Sequence, residues 1–281
     1  MTPRLVLDGL DMPECPRWRD GSLWLSDIWG HRVLELAADG STRVVHEFPD
    51  DEDPSGLGWL PDGRLLVVSG GDGLILRREA DGSLATHGDL RELSVPPAGN
   101  ELVIDGRGNA YVNGGQPLGQ ADATGIVAMV RPDGSAWKVA DGLAFPNGML
   151  VMPDGQTLIV AESYAKQLTA FRIKSDGRLS KRRVWATLGD GVPDGICADA
   201  ENAVWYADVP NKRCVRVREG GEVLQKIELD RGGFACALGG SDRRMLFIVA
   251  TEWRGPANMF QGPRTGQVLA TEAPAPGDGW P

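Results

Sequence analysis

The sequence is poor in the residues that most familiar chemistries require. Its 281 residues include 3 His and 4 Cys, and the cysteines (Cys15, Cys197, Cys214 and Cys236) show no CxxC spacing. That removes the common zinc and dithiol motifs. Two disulfides would need an oxidising compartment, and Met1 to Leu10 holds one Arg and no long apolar run to direct export. The expectation is a cytoplasmic protein with free, buried thiols. No stretch approaches the ~20 apolar residues that span a bilayer, so no membrane partner is expected. A net charge of −10 without a basic stripe argues against a nucleic-acid partner and is read as solubility. Also missing are a GxSxG elbow, an HExxH helix and a GxxxxGK[ST] loop, and Gly56-x-Gly58 precedes no helix. A small-molecule substrate is the expected partner. The oligomeric state stays open.

Glycine, by contrast, is abundant at 38 residues, most often following Asp in a turn. These turns repeat. Arg17-Trp-Arg-Asp-Gly-Ser-Leu-Trp-Leu-Ser is followed by Gly58-Trp-Leu-Pro-Asp-Gly-Arg-Leu-Leu-Val and by four further copies. Their turn residues are Asp20, Asp62, Asp105, Asp154, Asp199 and Asp242, spaced 42, 43, 49, 45 and 43 residues apart. A second turn recurs within five of the six periods, at Asp39-Gly40, Asp81-Gly82, Asp133-Gly134, Asp176-Gly177 and Gly220-Gly221. Two hairpin turns per period make four strands, and four strands at a period in the forties make a propeller blade rather than half of a β-sandwich. The sequence therefore predicts an all-β, six-bladed β-propeller with four antiparallel strands per blade, as one domain over residues 1–281. Gly266 to Glu272 would supply the third strand of the last blade, and the N-terminal strand from Arg4 its outermost one, closing the ring. Residues 274–281 read as a flexible tail.

In a propeller the innermost strand of every blade starts near the axis on one face, so residues just before the first turns converge. Counting back five to seven positions gives Glu14, Ser55-Gly56, Asn100, Asn147, Asp194 and Ala235-Cys236. Asn-Gly and Asp-Gly are good turn pairs by themselves, yet that does not account for Glu14 or for the coincidence across blades. Two carboxylates crowded on one axis repel unless protonated or bridged by a cation. With carboxamides beside them, the donor set suits one divalent ion: Ca²⁺, Mg²⁺, Mn²⁺ or Zn²⁺. Cys15 follows a ligand, and strand alternation should turn it from the axis.

The motifs Glu14-Cys-Pro-Arg-Trp, Pro54-Ser-Gly-Leu-Gly, Asn100-Glu-Leu-Val-Ile-Asp, Phe145-Pro-Asn-Gly and Pro193-Asp-Gly occur in this order, one to a blade. In them the chain resembles the regucalcin (senescence marker protein), gluconolactonase and luciferin-regenerating enzyme family, over nearly its whole length. The resemblance implies a lactonase in which Glu14, Asn147 and Asp194 hold a divalent metal and Asn100 faces substrate or water. Two departures stand out. Several sugar-lactonase relatives carry an Arg where this chain has Ala98, and Glu101 replaces the more usual Asp.

Loops on the same face supply the candidate substrate rim: Asp27, Trp29, His31, Asn113 to Gly125, Tyr164, Asp208, Trp253 and Arg254, beside Asn100 and Glu101. The long segment from Asn113 to Gly125 is a candidate lid, and His31 a candidate proton shuttle or a polar loop residue. Trp18, Trp24, Trp59, Trp137, Trp185 and Trp205 fall within strands and are expected to pack between blades. The expected reaction is hydrolysis of a cyclic ester at a mononuclear divalent metal, with Asp194 as general base or a metal-bound hydroxide as nucleophile, and Asn100 orienting water or substrate. The alternative is a non-catalytic propeller that binds a metal ion, a metabolite or another protein on the same face.

Overall fold

The computed structural model describes residues 2–117, 119–120, 122–259 and 261–279. Among them, twenty-four strands form six four-stranded antiparallel sheets, the blades of a β-propeller. Blade one runs from the axis outward as β2 (Pro13–Arg19), β3 (Ser22–Asp27), β4 (Arg32–Ala37) and β5 (Thr42–Glu47). Blades two to five repeat this order, with innermost strands β6 (Pro54–Trp59), β10 (Ala98–Ile104), β14 (Pro146–Val151) and β18 (Pro193–Ala198). The sixth sheet has the order β22 (Gly232–Gly239), β23 (Met245–Thr251), β24 (Gly266–Glu272), β1 (Arg4–Leu10). The N-terminal strand is therefore the outermost strand of the last blade and closes the ring, as the repeat predicts.

The recurring Asp-Gly pair has a mechanical reason. Asp62 Oδ1 accepts the Arg64 N–H at 3.0 Å, and Asp154 Oδ1 accepts that of Gln156 at 2.8 Å. The intervening Gly63 and Gly155 take φ values of 87° and 64°. A short carboxylate bonding the amide two residues on, with a left-handed residue between, is the chemistry of a tight turn.

Apolar side chains pack between neighbouring blades. Leu66, Val68 and Ile75 of blade two meet Leu102, Val112 and Ala128 of blade three in one buried cluster. Each such Leu or Val contributes about 1.5–3 kcal/mol. Trp18 stacks on Phe247 across the seam that joins blade one to blade six, at 5.5 Å. Trp24 meets Trp59 edge-on at 5.4 Å, joining blades one and two. Near the axis, side chains are sacrificed for close approach. A Cβ on Gly148 would lie 2.5 Å from the Asp194 carbonyl oxygen, and one on Gly195 would lie 2.2 Å from the Ala235 Cβ. Glycine at these two positions lets β14, β18 and β22 crowd together, which draws Asn147 and Asp194 toward each other.

All four cysteines are buried and free, with the Cys197 and Cys236 sulfurs 3.7 Å apart. No described helix is long and apolar enough to cross a membrane. The expected flexible tail needs correction. Ala200 N–H donates to Pro276 O at 2.9 Å, Gly277 N–H to Arg243 O at 2.8 Å, and Asp278 N–H to Ala198 O at 3.1 Å. Backbone groups of this segment find partners on the turns of blades five and six, and Ala275 is buried. The prolines keep it extended, which leaves those groups free to pair. Trp280 and Pro281 lie outside the described residues.

Candidate functional site

Each innermost strand loses register with its neighbour at its start. The breaks fall between Glu14 and Arg17, Pro54 and Leu57, Ala98 and Leu102, Pro146 and Met149, Pro193 and Ile196, and Gly233 and Ala235. A bulge frees one residue from the ladder and re-aims its side chain. Six bulges in equivalent places bring Glu14, Ser55, Asn100, Asn147, Asp194 and Phe234 to the axis; the expected Ala235 instead pairs with Val249 and packs in the cluster between blades six and one. Beside Glu14, Cys15 has a φ of 50°, a left-handed conformation that costs a non-glycine residue about 1–3 kcal/mol.

A cavity of about 830 Å³ opens on this face, with Glu14, Asn100, Asn147 and Asp194 in its lining. Asn100 Nδ2 donates to Asn147 Oδ1 at 3.2 Å, and Glu14 Oε2 accepts the Cys15 N–H at 3.1 Å. Asp194 Oδ1 is buried without a hydrogen-bond partner. Burial, and then the nearby Glu101 carboxylate, pushes the Glu14 carboxyl up to about 8. Burial followed by the charges of Glu14 and Glu101 pushes Asp194 well above the usual carboxylate range. An orphaned carboxylate oxygen beside a second underpaired carboxylate is the arrangement that a cation relieves. With the Asn147 carboxamide the donors are all oxygen, which fits a hard divalent ion. Among the described residues no three His, Cys, Asp or Glu side chains cluster as a metal site, so the amide would be needed to complete the set.

Of the candidate rim, Trp29, Tyr164 and Trp253 line the cavity. Glu101, His31, Asn113 and Arg254 do not. Glu101 follows Asn100 along β10 and takes the opposite side, where Arg17 Nη2 donates to it at 2.5 Å. His31 sets Nδ1 3.1 Å from the Glu52 carbonyl oxygen. Asn113 is consumed by backbone: its Oδ1 accepts the Glu101 N–H at 3.2 Å and its Nδ2 donates to the Asn147 carbonyl. Arg254 is turned to the Gln261 carbonyl and the Glu252 carboxylate, both at 2.6 Å. Asp27 and Asp208 are likewise buried against Arg32 and Arg213.

Ala98 is fully buried in the cluster between blades two and three and does not line the cavity. The candidate lid forms wall instead: Gln116 accepts the Phe145 N–H, and Gly119 N–H donates to the Tyr164 hydroxyl at 3.1 Å. Its residues 118 and 121 lie outside the described residues. Sequence reasoning missed much of the apolar lining, including Met12, Ile28, Val209 and Phe234. Phe145 alone had a signal, its place in the Phe-Pro-Asn-Gly motif.

Comparison with known proteins places this geometry in context. The chain is 27% identical to a 6-deoxy-6-sulfogluconolactonase of Pseudomonas putida over 94% of its own length and 92% of that protein. It superposes on a gluconolactonase of Xanthomonas campestris with a TM-score of 0.75 at 26% identity, covering 94% of this chain and 88% of that one. It also superposes on a luciferin-regenerating enzyme with a TM-score of 0.83, covering 99% and 98% of the two chains, at 16% identity. The model of one family, the SMP-30/Gluconolactonase/LRE-like region, matches residues 12–252. The chain belongs to the SMP-30/gluconolactonase/LRE-like family.

Proposed function

We propose that this protein hydrolyses a lactone at the axis of the propeller. The observation that carries the reading is the unpartnered Asp194 oxygen, buried near Glu14 at the inner end of an open cavity. The gluconolactonases among the relatives support the same chemistry. Glu14, Asn147 and Asp194 would hold one divalent ion (Ca²⁺, Zn²⁺, Mn²⁺ or Mg²⁺), which when bound supplies a Lewis acid for the lactone carbonyl. Asp194 is the general base: it takes a proton from the attacking water and returns it to the ring oxygen as the ester opens. Burial, followed by the charges of Glu14 and Glu101, raises that carboxyl above the usual carboxylate range. Asn100, hydrogen-bonded to Asn147, orients water or the ring.

The test is a lactone panel assayed on chelator-treated protein, with and without added Mn²⁺, Zn²⁺, Ca²⁺ or Mg²⁺. Ring opening that depends on one of these ions is expected. No turnover of any lactone with any ion would defeat the proposal.

A further inference from the structure

The wall of the cavity differs in character from its inner end. Phe145 stacks on Tyr164 with ring centroids 4.6 Å apart, and Phe234 meets Trp253 edge-on at 6.2 Å. All four line the cavity together with Trp29. Several polar groups in this wall already bond backbone. Gln116 accepts the Phe145 N–H and donates to the Gln120 carbonyl at 2.9 Å. Ser163 donates to the Pro193 carbonyl at 2.7 Å, and the Tyr164 hydroxyl accepts the Gly119 N–H. Among the described lining residues beyond the inner end, Lys166 is the sole charged side chain.

A sugar lactone presents a hydroxyl on nearly every ring carbon. Against aromatic faces and pre-bonded amides, those hydroxyls would give up water without gaining partners. A lactone with an alkyl or aromatic substituent would gain burial against the same faces instead. We infer that the substrate of this site is a lactone bearing an apolar substituent and few hydroxyls, an inference that rests on the lactone-opening reading. In the reaction the acyl carbon–oxygen bond of the ring breaks and the water oxygen joins the acyl carbon. One water proton passes through Asp194 to the freed alkoxide, so the product is an open hydroxy acid. Trp253 is a specificity-determining residue here, because it offers a large flat surface in the cavity wall.

Two measurements test this, and they separate it from the lactonase reading. In the first, kcat/KM is compared for δ-decalactone, dihydrocoumarin and glucono-1,5-lactone on Mn²⁺-loaded protein. The apolar lactones are expected to lead by about 10²-fold, the scale on which an apolar pocket discriminates against an added hydroxyl. In the second, calorimetry compares two unreactive rings, 2-butyltetrahydropyran and 1,5-anhydroglucitol, and the first is expected to bind at least about tenfold more tightly. Trp253→Gln should lower kcat/KM for δ-decalactone roughly tenfold and for gluconolactone by a smaller factor. Gluconolactone as the better substrate, or anhydroglucitol binding as tightly as the apolar ring, overturns the inference. If no lactone is opened yet the apolar ring still binds preferentially, the lactonase reading falls and the apolar preference of the cavity stands.

Discussion

Two rings of buried acidic side chains lie close together in this propeller, and their surroundings differ in kind. The outer set ends the second strands of the blades. Asp27 accepts hydrogen bonds from Arg32 and from the N–H groups of Asp11 and Met12. Glu162 accepts from the Ala144 N–H, Thr169 and Arg182. Asp208 accepts from the Val192 N–H, Asn211 and Arg213. In each case a carboxylate ties down the chain that leads into its own blade. The inner set, Glu14 and Asp194, begins innermost strands. It holds one backbone hydrogen bond at Glu14 and an oxygen with none at Asp194. Burial alone therefore separates nothing here. What separates the two sets is whether the protein itself supplies the counter-charge and the donors. Where it does, the carboxylate is a fastener; where it does not, the carboxylate keeps an oxygen unpaired, the feature on which the proposed cation site rests.

Replacing one member of each ring should break the comparison in opposite ways. Asp194→Asn is expected to keep the fold and lower turnover by roughly two to four orders of magnitude, read by steady-state kinetics on a good lactone. Near-normal kcat in that variant would mean the base has been misassigned. Arg213→Met leaves Asp208 buried without its cation. It should cost about 3–5 kcal/mol in urea unfolding while the folded fraction keeps its kcat. A large loss of kcat with unchanged stability would place Asp208 in the wrong ring.

The third expectation concerns cations. A divalent ion at a hundredfold excess over its Kd should stabilise the wild type by about 2.7 kcal/mol, and a chelator should reverse the gain. Asp194→Asn should show a smaller gain. If none of Ca²⁺, Zn²⁺, Mn²⁺ or Mg²⁺ moves the unfolding curve, the inner ring is not a cation site.

The smallest effect extends the comparison to a base. His87 is buried with its Nε2 unpartnered, and burial, followed by the charges of Arg77 and Arg64, lowers its pKa from 6.5. The unfolded chain therefore takes up this proton first. Stability is complete above about pH 6.5 and falls as the pH drops through that value. His87→Gln should flatten the decline between pH 7.5 and 5.5 by about 1 kcal/mol in denaturant titrations at each pH. Identical slopes for the two proteins would show that His87 does not contribute.

Much of this could be read in the chain because its signals are local. An Asp-Gly turn declares itself in two residues, and the offset from that turn to the axis is nearly constant, so Glu14, Asn100, Asn147 and Asp194 emerge by counting. What failed was direction. Glu101 and Asn113 look like site residues by position, yet bulge and alternation send one to Arg17 and the other to neighbouring backbone. Partners 84 residues apart, as Arg17 and Glu101 are, leave no local trace. Ala98 was legible as a departure from the family pattern, but its burial was not. An Arg there would enter the hydrophobic cluster rather than the cavity. The aromatic wall depends on how loops from different blades lean together, and no periodicity encodes that.

Arg17 has one more consequence. From β2 its guanidinium reaches the Leu57 carbonyl of blade two, then Glu101 and the Leu102 carbonyl of blade three. It thus sits across the axis behind the inner ring. Among the described residues, the cavity on one face and the recess containing Arg17 on the other share no lining residue. The propeller is in effect a cup rather than a tube. For the proposed ring opening, reactant and product would then share one mouth.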